Sequence, residues 1–130
     1  VQPSRISAYG VVDPAPGGRL DGSTYRLRGL VEKPSSDRAP STLGIVGRYI
    51  LMPEVFDALD RTTPGAIGEI QLTDGIALAM ESQPTYAYRF SGTRYDCGTP
   101  TGLLNASLAL ALRRPDIAPQ VTEWAKRIVE

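Results

Sequence analysis

At 130 residues, 42% of them hydrophobic, the chain is long enough for one domain, or for a piece of a larger one, and can bury a core. Fourteen basic and fourteen acidic side chains cancel, which excludes the basic footprint of a nucleic-acid binder, and no apolar run approaches the roughly 20 residues of a bilayer crossing. Histidine is absent, which removes serine–histidine hydrolysis, cysteine–histidine nucleophiles and imidazole-held zinc from this chain.

"SAYGVVD" (Ser7–Asp13) reads as a short strand anchored by Tyr9, Val11 and Val12, and the Pro- and Gly-dense "PAPGGRLDGS" after it as an exposed loop. "YRLRGLVE" (Tyr25–Glu32) alternates Tyr25 and Leu27 with Arg26 and Arg28, then turns apolar at Leu30 and Val31. It is a strand running from an exposed edge to a buried end, paired with the first as a hairpin with a long loop. "SSDRAPS" is loop. "TLGIVGRYIL" (Thr42–Leu51) is a β-branched and aromatic run whose Gly44 and Gly47 invite a close neighbour. "PEVFDALD" predicts one or two helical turns with Pro53 at the first position, and "RTTPGAIG" a loop.

"EIQLTDGIALAMES" (Glu69–Ser82) places Ile70, Leu72 or Thr73, Ile76, Ala77 and Met80 on one helical face, weakened by Gly75, with Glu69 and Asp74 serving the first turn. In "TYAYRFSG" the Tyr86, Tyr88, Phe90 alternation predicts a strand with those rings in the core. Thr99 and Pro100 then cap and open a helix ending at two arginines, and "VTEWAKRIVE" forms a last amphipathic helix with Trp124 as a docking anchor. This order places the fold within α/β or α+β. Neither GxGxxG nor GxxxxGK[ST] occurs, so no complete nucleotide-binding unit is readable here.

Without histidine, chemistry falls to carboxylates, lysine, arginine, hydroxyls, backbone groups or a bound ion, and carboxylate oxygens suit a hard cation such as magnesium. The single cysteine, Cys97, forms no internal disulfide and reads as a small buried hydrophobe; with an opening unlike a signal peptide, it points to the cytoplasm. Taken alone, Glu32 and Lys33 before Pro34 are an ordinary solvated pair at a turn, Gly10 is a flexible strand start, and Asp96 before Cys97-Gly98 is a turn-former.

Five pieces in series change that balance: "YGVVD", "GLVEKP", "APSTLGIVGRYIL", "PGAIGEIQLTDGIALAM" and "YDCGTPTG". In order and spacing the stretch from about Ala8 to Arg114 resembles bacterial UTP–glucose-1-phosphate uridylyltransferases. The resemblance implies the C-terminal part of a Rossmann-like α/β nucleotidyltransferase, a mixed sheet with flanking helices. The half that would carry the glycine-rich phosphate loop and a metal-binding Asp is missing. Residues 1–114 would be the sugar-phosphate-binding part and 115–130 a C-terminal helix available for oligomerisation.

The implied reaction joins UTP and glucose 1-phosphate with Mg2+, in the intact enzyme and not in this piece alone. Glu32 would hold glucose hydroxyls, Lys33 the sugar's phosphate, and Gly10 would let the hexose rest against backbone. Asp96 would be one of two carboxylates at the metal. A homo-oligomer, dimer or tetramer, is expected, with neither nucleic acid nor membrane as partner. A sister enzyme forming dTDP-, CDP- or ADP-glucose, and a non-catalytic sugar-phosphate-binding module, are the alternatives.

The pair has a physical logic. One carboxylate can accept from two adjacent hydroxyls at about 1.5–3 kcal/mol per charged bond. Consecutive strand side chains face opposite ways, so Glu32 and Lys33 serve one ligand only if the strand ends and bends here, a break that Pro34 is expected to provide.

Overall fold

The computed structural model describes residues 1–64 and 68–129. These form two compact units, Val1–Phe90 and Ser91–Glu130. The middle of the expected "RTTPGAIG" loop, 65–67, lies outside the described residues.

In the first unit a short 3-10 helix, Pro3–Ala8, buries Ile6 and leads into a three-stranded sheet. Its strands are β1 (Val11–Arg19), β2 (Thr24–Val31) and β3 (Tyr86–Tyr88), in the order β1-β2-β3 and antiparallel throughout. Val11 pairs with Val31, Val12 with Leu30 and Asp13 with Gly29, after which the register slips twice before Arg19 meets Tyr25. The expected exposed loop at "PAPGGR" is therefore strand. Proline lacks an N–H and survives on an edge strand broken by bulges, which is what β1 is.

The hairpin is correspondingly tighter than expected. Asp21 closes it, its Oδ1 accepting from the N–H groups of Ser23 and Thr24 at 2.6 Å each. Those backbone bonds hold the Asp21 carboxyl below its usual range. Across the strands the Arg28 guanidinium donates to Asp13 at 2.8 Å.

One sequence expectation fails for a reason of register, and one run left without an assigned element is resolved. Tyr86, Tyr88 and Phe90 are not core; Tyr88 is 71% exposed. β3 pairs Tyr86 opposite the exposed Arg26 and Tyr88 opposite Thr24, which puts both rings on the outer face. Thr42–Leu51 is not a strand. It makes one bridge, Gly44 to Val11, flanked by Val12 N–H to Leu43 O and Ile45 N–H to Gly10 O. Before Gly10 only Tyr9 is extended, and its carbonyl already accepts from the Lys33 N–H; the chain before it is the 3-10 helix.

Two helices, α1 (Glu54–Arg61) and α2 (Leu72–Ala79), cover the sheet, α1 packing on α2 and α2 on β2. Val11, Val12, Leu27, Val55, Ala58, Ile76 and Ala79 form the core with Ile6. Pro53 precedes α1 as its cap rather than occupying its first turn. α2 is shorter than its apolar pattern suggests. Gln71 stands at its N-cap, and Glu69 lies outside the helix, accepting from the Gln71 amide at 3.4 Å instead of capping. Gly75 has a packing reason: a Cβ there would overlap the Leu59 side chain of α1. The residue that weakens the helix lets the two helices close.

The second unit holds α3 (Pro100–Ala111) and α4 (Ala118–Val129), which contact each other. As expected, Thr99 caps α3, its Oγ1 accepting from the Gly102 N–H at 3.1 Å. Ala106 is buried, whereas Leu103, Leu104, Leu108, Leu110, Trp124 and Ile128 stay exposed. Cys97 is exposed too, not the buried hydrophobe its residue type suggested. Among the described residues no helix is long and apolar enough to cross a membrane.

Candidate functional site

β1 begins just after Gly10 and β2 ends at Val31, so the hairpin brings "YG" and "EK" side by side. One more ladder bond, from the Lys33 N–H to the Tyr9 carbonyl at 3.1 Å, extends the pairing past the strand ends. The break then falls on Lys33 itself, with φ +44°, one residue before the proline expected to cause it. For a residue with a Cβ this left-handed conformation costs on the order of 1–2 kcal/mol. The surrounding structure supports that strain through the Tyr9 bond and the buried Pro34.

The consequence is the convergence the pair needs. Lys33 Nζ lies 4.0 Å from Glu32 Oε1, with the lysine 52% and the glutamate 22% exposed at their side chains. Glu32 therefore reaches inward from the strand end while Lys33 keeps its ammonium at the surface.

Glu32 Oε2 is held from a distant part of the chain. The Thr73 hydroxyl, in the first turn of α2, donates to it at 2.6 Å. Gly10 forms the floor. A Cβ added there would lie 2.9 Å from Glu32 Oε2, 3.0 Å from Ile45 Cδ1 and 3.3 Å from Thr73 Oγ1. The missing side chain is what lets the carboxylate seat over buried backbone. Burial first, and the Glu32 charge second, raise the Tyr49 phenol above the ordinary tyrosine value.

The structure thus brings together Gly10, Glu32 and Lys33, the three substrate-side residues expected from the sequence, and adds Thr73. Thr73 was readable only as one of two residues on an apolar helix face. A hydroxyl on a face otherwise made of Ile76 and Ala79 was the signal, since buried polar groups carry partners.

Asp96 stands in the other unit. Its Oδ1 accepts from the Gly98 N–H at 3.2 Å, which makes it the turn-former its local sequence suggests, and its Oδ2 lies 3.5 Å from Arg94. Among the described residues no group of three or more Cys, Asp or Glu side chains is placed to hold a metal. A carboxylate 45% exposed still fits a lesser role, as one ligand to a hard ion otherwise held by phosphate oxygens and water.

Comparison with known proteins bears on the family and the fold. The Nucleotidyl transferase family model matches residues 1–112. UTP–glucose-1-phosphate uridylyltransferase of Staphylococcus epidermidis is 41% identical over 128 residues, covering 98% of this chain and 43% of that protein. The enzyme of the same name from Streptococcus pyogenes is 45% identical over 119 residues, covering 92% and 38%.

Among solved structures, a UDP-glucose pyrophosphorylase complexed with UDP-glucose superposes with a TM-score of 0.79 at 39% identity, over 88% of this chain and 42% of that one. A UTP-bound enzyme of the same kind from Acinetobacter baumannii gives 0.78 at 36%, over 100% and 42%. The chain spans less than half the length of each. With motifs, fold and family model in agreement over most of its residues, the chain belongs to the nucleotidyl transferase family.

Proposed function

We propose that the full-length protein containing this chain transfers uridylyl from UTP to glucose 1-phosphate, releasing pyrophosphate and forming UDP-glucose. One observation carries the reading: the Glu32 carboxylate is seated over Gly10 with the Lys33 ammonium 4.0 Å away at a strained strand end. In this reading the carboxylate accepts from hexose hydroxyls and the ammonium meets the sugar's phosphate as a compact charge.

A phosphate oxygen of glucose 1-phosphate attacks the α-phosphorus of UTP. The bond from that phosphorus to the departing pyrophosphate breaks, and pyrophosphate leaves with the electron pair. No covalent enzyme intermediate is required. Catalysis rests on positioning and charge neutralisation.

Nucleotidyl transferases generally use a divalent metal, and we take it to be magnesium, which would neutralise phosphate charge when bound. Asp96 would supply one oxygen to it. The substrates assign the protein to the cytoplasm.

The test is pyrophosphate release from the full-length protein with glucose 1-phosphate, magnesium and, in turn, UTP, dTTP, CTP and ATP. Release fastest with UTP is expected, and the purified 130-residue chain should release none. Preference for another nucleotide would reassign the base. Release with none of the four nucleotides would reject the reading, and release from the isolated chain would reject only the inactivity expected of it.

We also propose that the full-length protein is a homo-oligomer, dimer or tetramer, assembling through residues 115–130. The exposed Trp124 and Ile128 on α4 support this reading. Light scattering should return a mass at least twice that of one chain; a monomer at high concentration rejects it.

A further inference from the structure

We propose that Thr73 is a positioning residue for the sugar-binding carboxylate, acting through its hydroxyl on Glu32; this rests on the function proposed above. Three observations meet on it. Thr73 is 5% exposed and, among the described residues, is the buried polar side chain of a core otherwise made of aliphatic groups. Its 2.6 Å bond to Glu32 Oε2 lies in the short range of hydroxyl bonds to an ionised oxygen. It comes from a different element, 41 residues along the chain, so its position is fixed independently of the strand end it supports.

A glutamate at the end of a strand would otherwise sample several rotamers, and most of them would point its carboxylate away from a ligand. The Thr73 bond selects one of them and occupies a lone pair on Oε2. Oε1, on the Lys33 side, and the remaining Oε2 lone pair are left to accept from the sugar. The chain of support can be followed outward. α2 packs on β2, and Gly75, two residues beyond Thr73, admits Leu59 of α1 against the back of the helix. The α1–α2 pair thus acts on the site through one hydroxyl, touching no substrate itself.

Valine has almost the shape of threonine, so Thr73→Val in the full-length protein separates a positioning role from a packing one. The expected result is a KM for glucose 1-phosphate raised about tenfold or more, the KM for UTP unchanged, and recovery to within about threefold in Thr73→Ser, which keeps the hydroxyl. In the double variant Glu32→Gln/Thr73→Val the second change should add less than it does alone, because both act on one group.

If Thr73→Val fails to fold, Thr73→Ala measured against Thr73→Ser gives the same comparison of hydroxyl present and absent. A Thr73→Val enzyme with wild-type KM beside an impaired Glu32→Gln enzyme overturns the role of Thr73 and leaves the proposed function standing. A Ser variant as impaired as the Val variant also overturns it, since the methyl would then be what matters. Wild-type behaviour of Glu32→Gln removes the site itself, and the inference with it.

Discussion

Glutamine in place of Glu32 is expected to lower the full-length protein's kcat/KM for glucose 1-phosphate by about tenfold or more, with little change in melting temperature. The amide keeps the size of the carboxylate and still offers Thr73 an oxygen, so the local fold has no reason to rearrange. What is lost is charge. Bonds to a charged acceptor contribute about 1.5–3 kcal/mol and neutral ones about 0.5–1.5, so weakening two sugar hydroxyl bonds together removes more than the roughly 1.4 kcal/mol that a tenfold change needs.

Lys33→Ala should have a comparable effect on turnover, by leaving the sugar's phosphate without its ammonium. Its ion pair with Glu32 is half-exposed and 4.0 Å long, so stability should barely respond. Steady-state kinetics beside thermal melts check both variants. Near wild-type kinetics in the two of them would refute the assignment of this pair to the sugar phosphate.

Alanine at Gly10 should impair the same substrate through geometry alone. Its Cβ would approach Glu32 Oε2 to 2.9 Å and Ile45 Cδ1 to 3.0 Å, closer than such atoms normally come. The Ile45 methyl is packed, whereas the carboxylate ends a flexible side chain, so the easier relief is for Glu32 to swing outward and give up its bond to Thr73. A large rise in the KM for glucose 1-phosphate, about tenfold or more, should therefore accompany a stability loss of no more than about 1 kcal/mol, a melting shift of about 2–4 °C at most. The KM for UTP should hold. If the alanine enzyme binds glucose 1-phosphate normally, this glycine serves only the packing of the strand start.

These two results would test different halves of one arrangement. Glu32 and Lys33 supply charge, and Gly10 supplies the space into which that charge is seated. The strain at Lys33 belongs with them. A left-handed lysine is retained at the strand end and places the ammonium within 4.0 Å of the carboxylate of its neighbour. In a regular strand, consecutive side chains would have parted to opposite faces.

Much of this was present locally in the chain. The alternation of Tyr25 to Val31 marks β2, Thr99 and Pro100 mark the start of α3, and Val11, Val12, Leu27 and Ile76 are core as their patterns suggest. Each depends on residues within a turn or two of one another, where propensity, capping and periodicity act. The motif series around "GLVEKP" singled out Gly10, Glu32 and Lys33 through its resemblance to a known family; that they lie side by side follows from the hairpin, which brings the ends of its two strands together.

What only the tertiary structure decided depends on partners far apart in sequence. Whether Tyr86 and Tyr88 face the core is set by the register of β3 against β2, and alternation alone cannot choose between two faces. Whether Thr42–Leu51 becomes a strand depends on what can pair with it beyond its one bridge to Val11, and there the Tyr9 carbonyl is taken by the Lys33 N–H and the chain before Tyr9 is a 3-10 helix. The contact between Thr73 and Glu32 crosses 41 residues and two kinds of element. The amino-acid order thus determined that Gly10, Glu32 and Lys33 meet at the ends of one hairpin; the packing of α2 on β2 decided how the Glu32 carboxylate is held, because a hydrogen bond needs its two atoms within about 3 Å and no local pattern sets that distance.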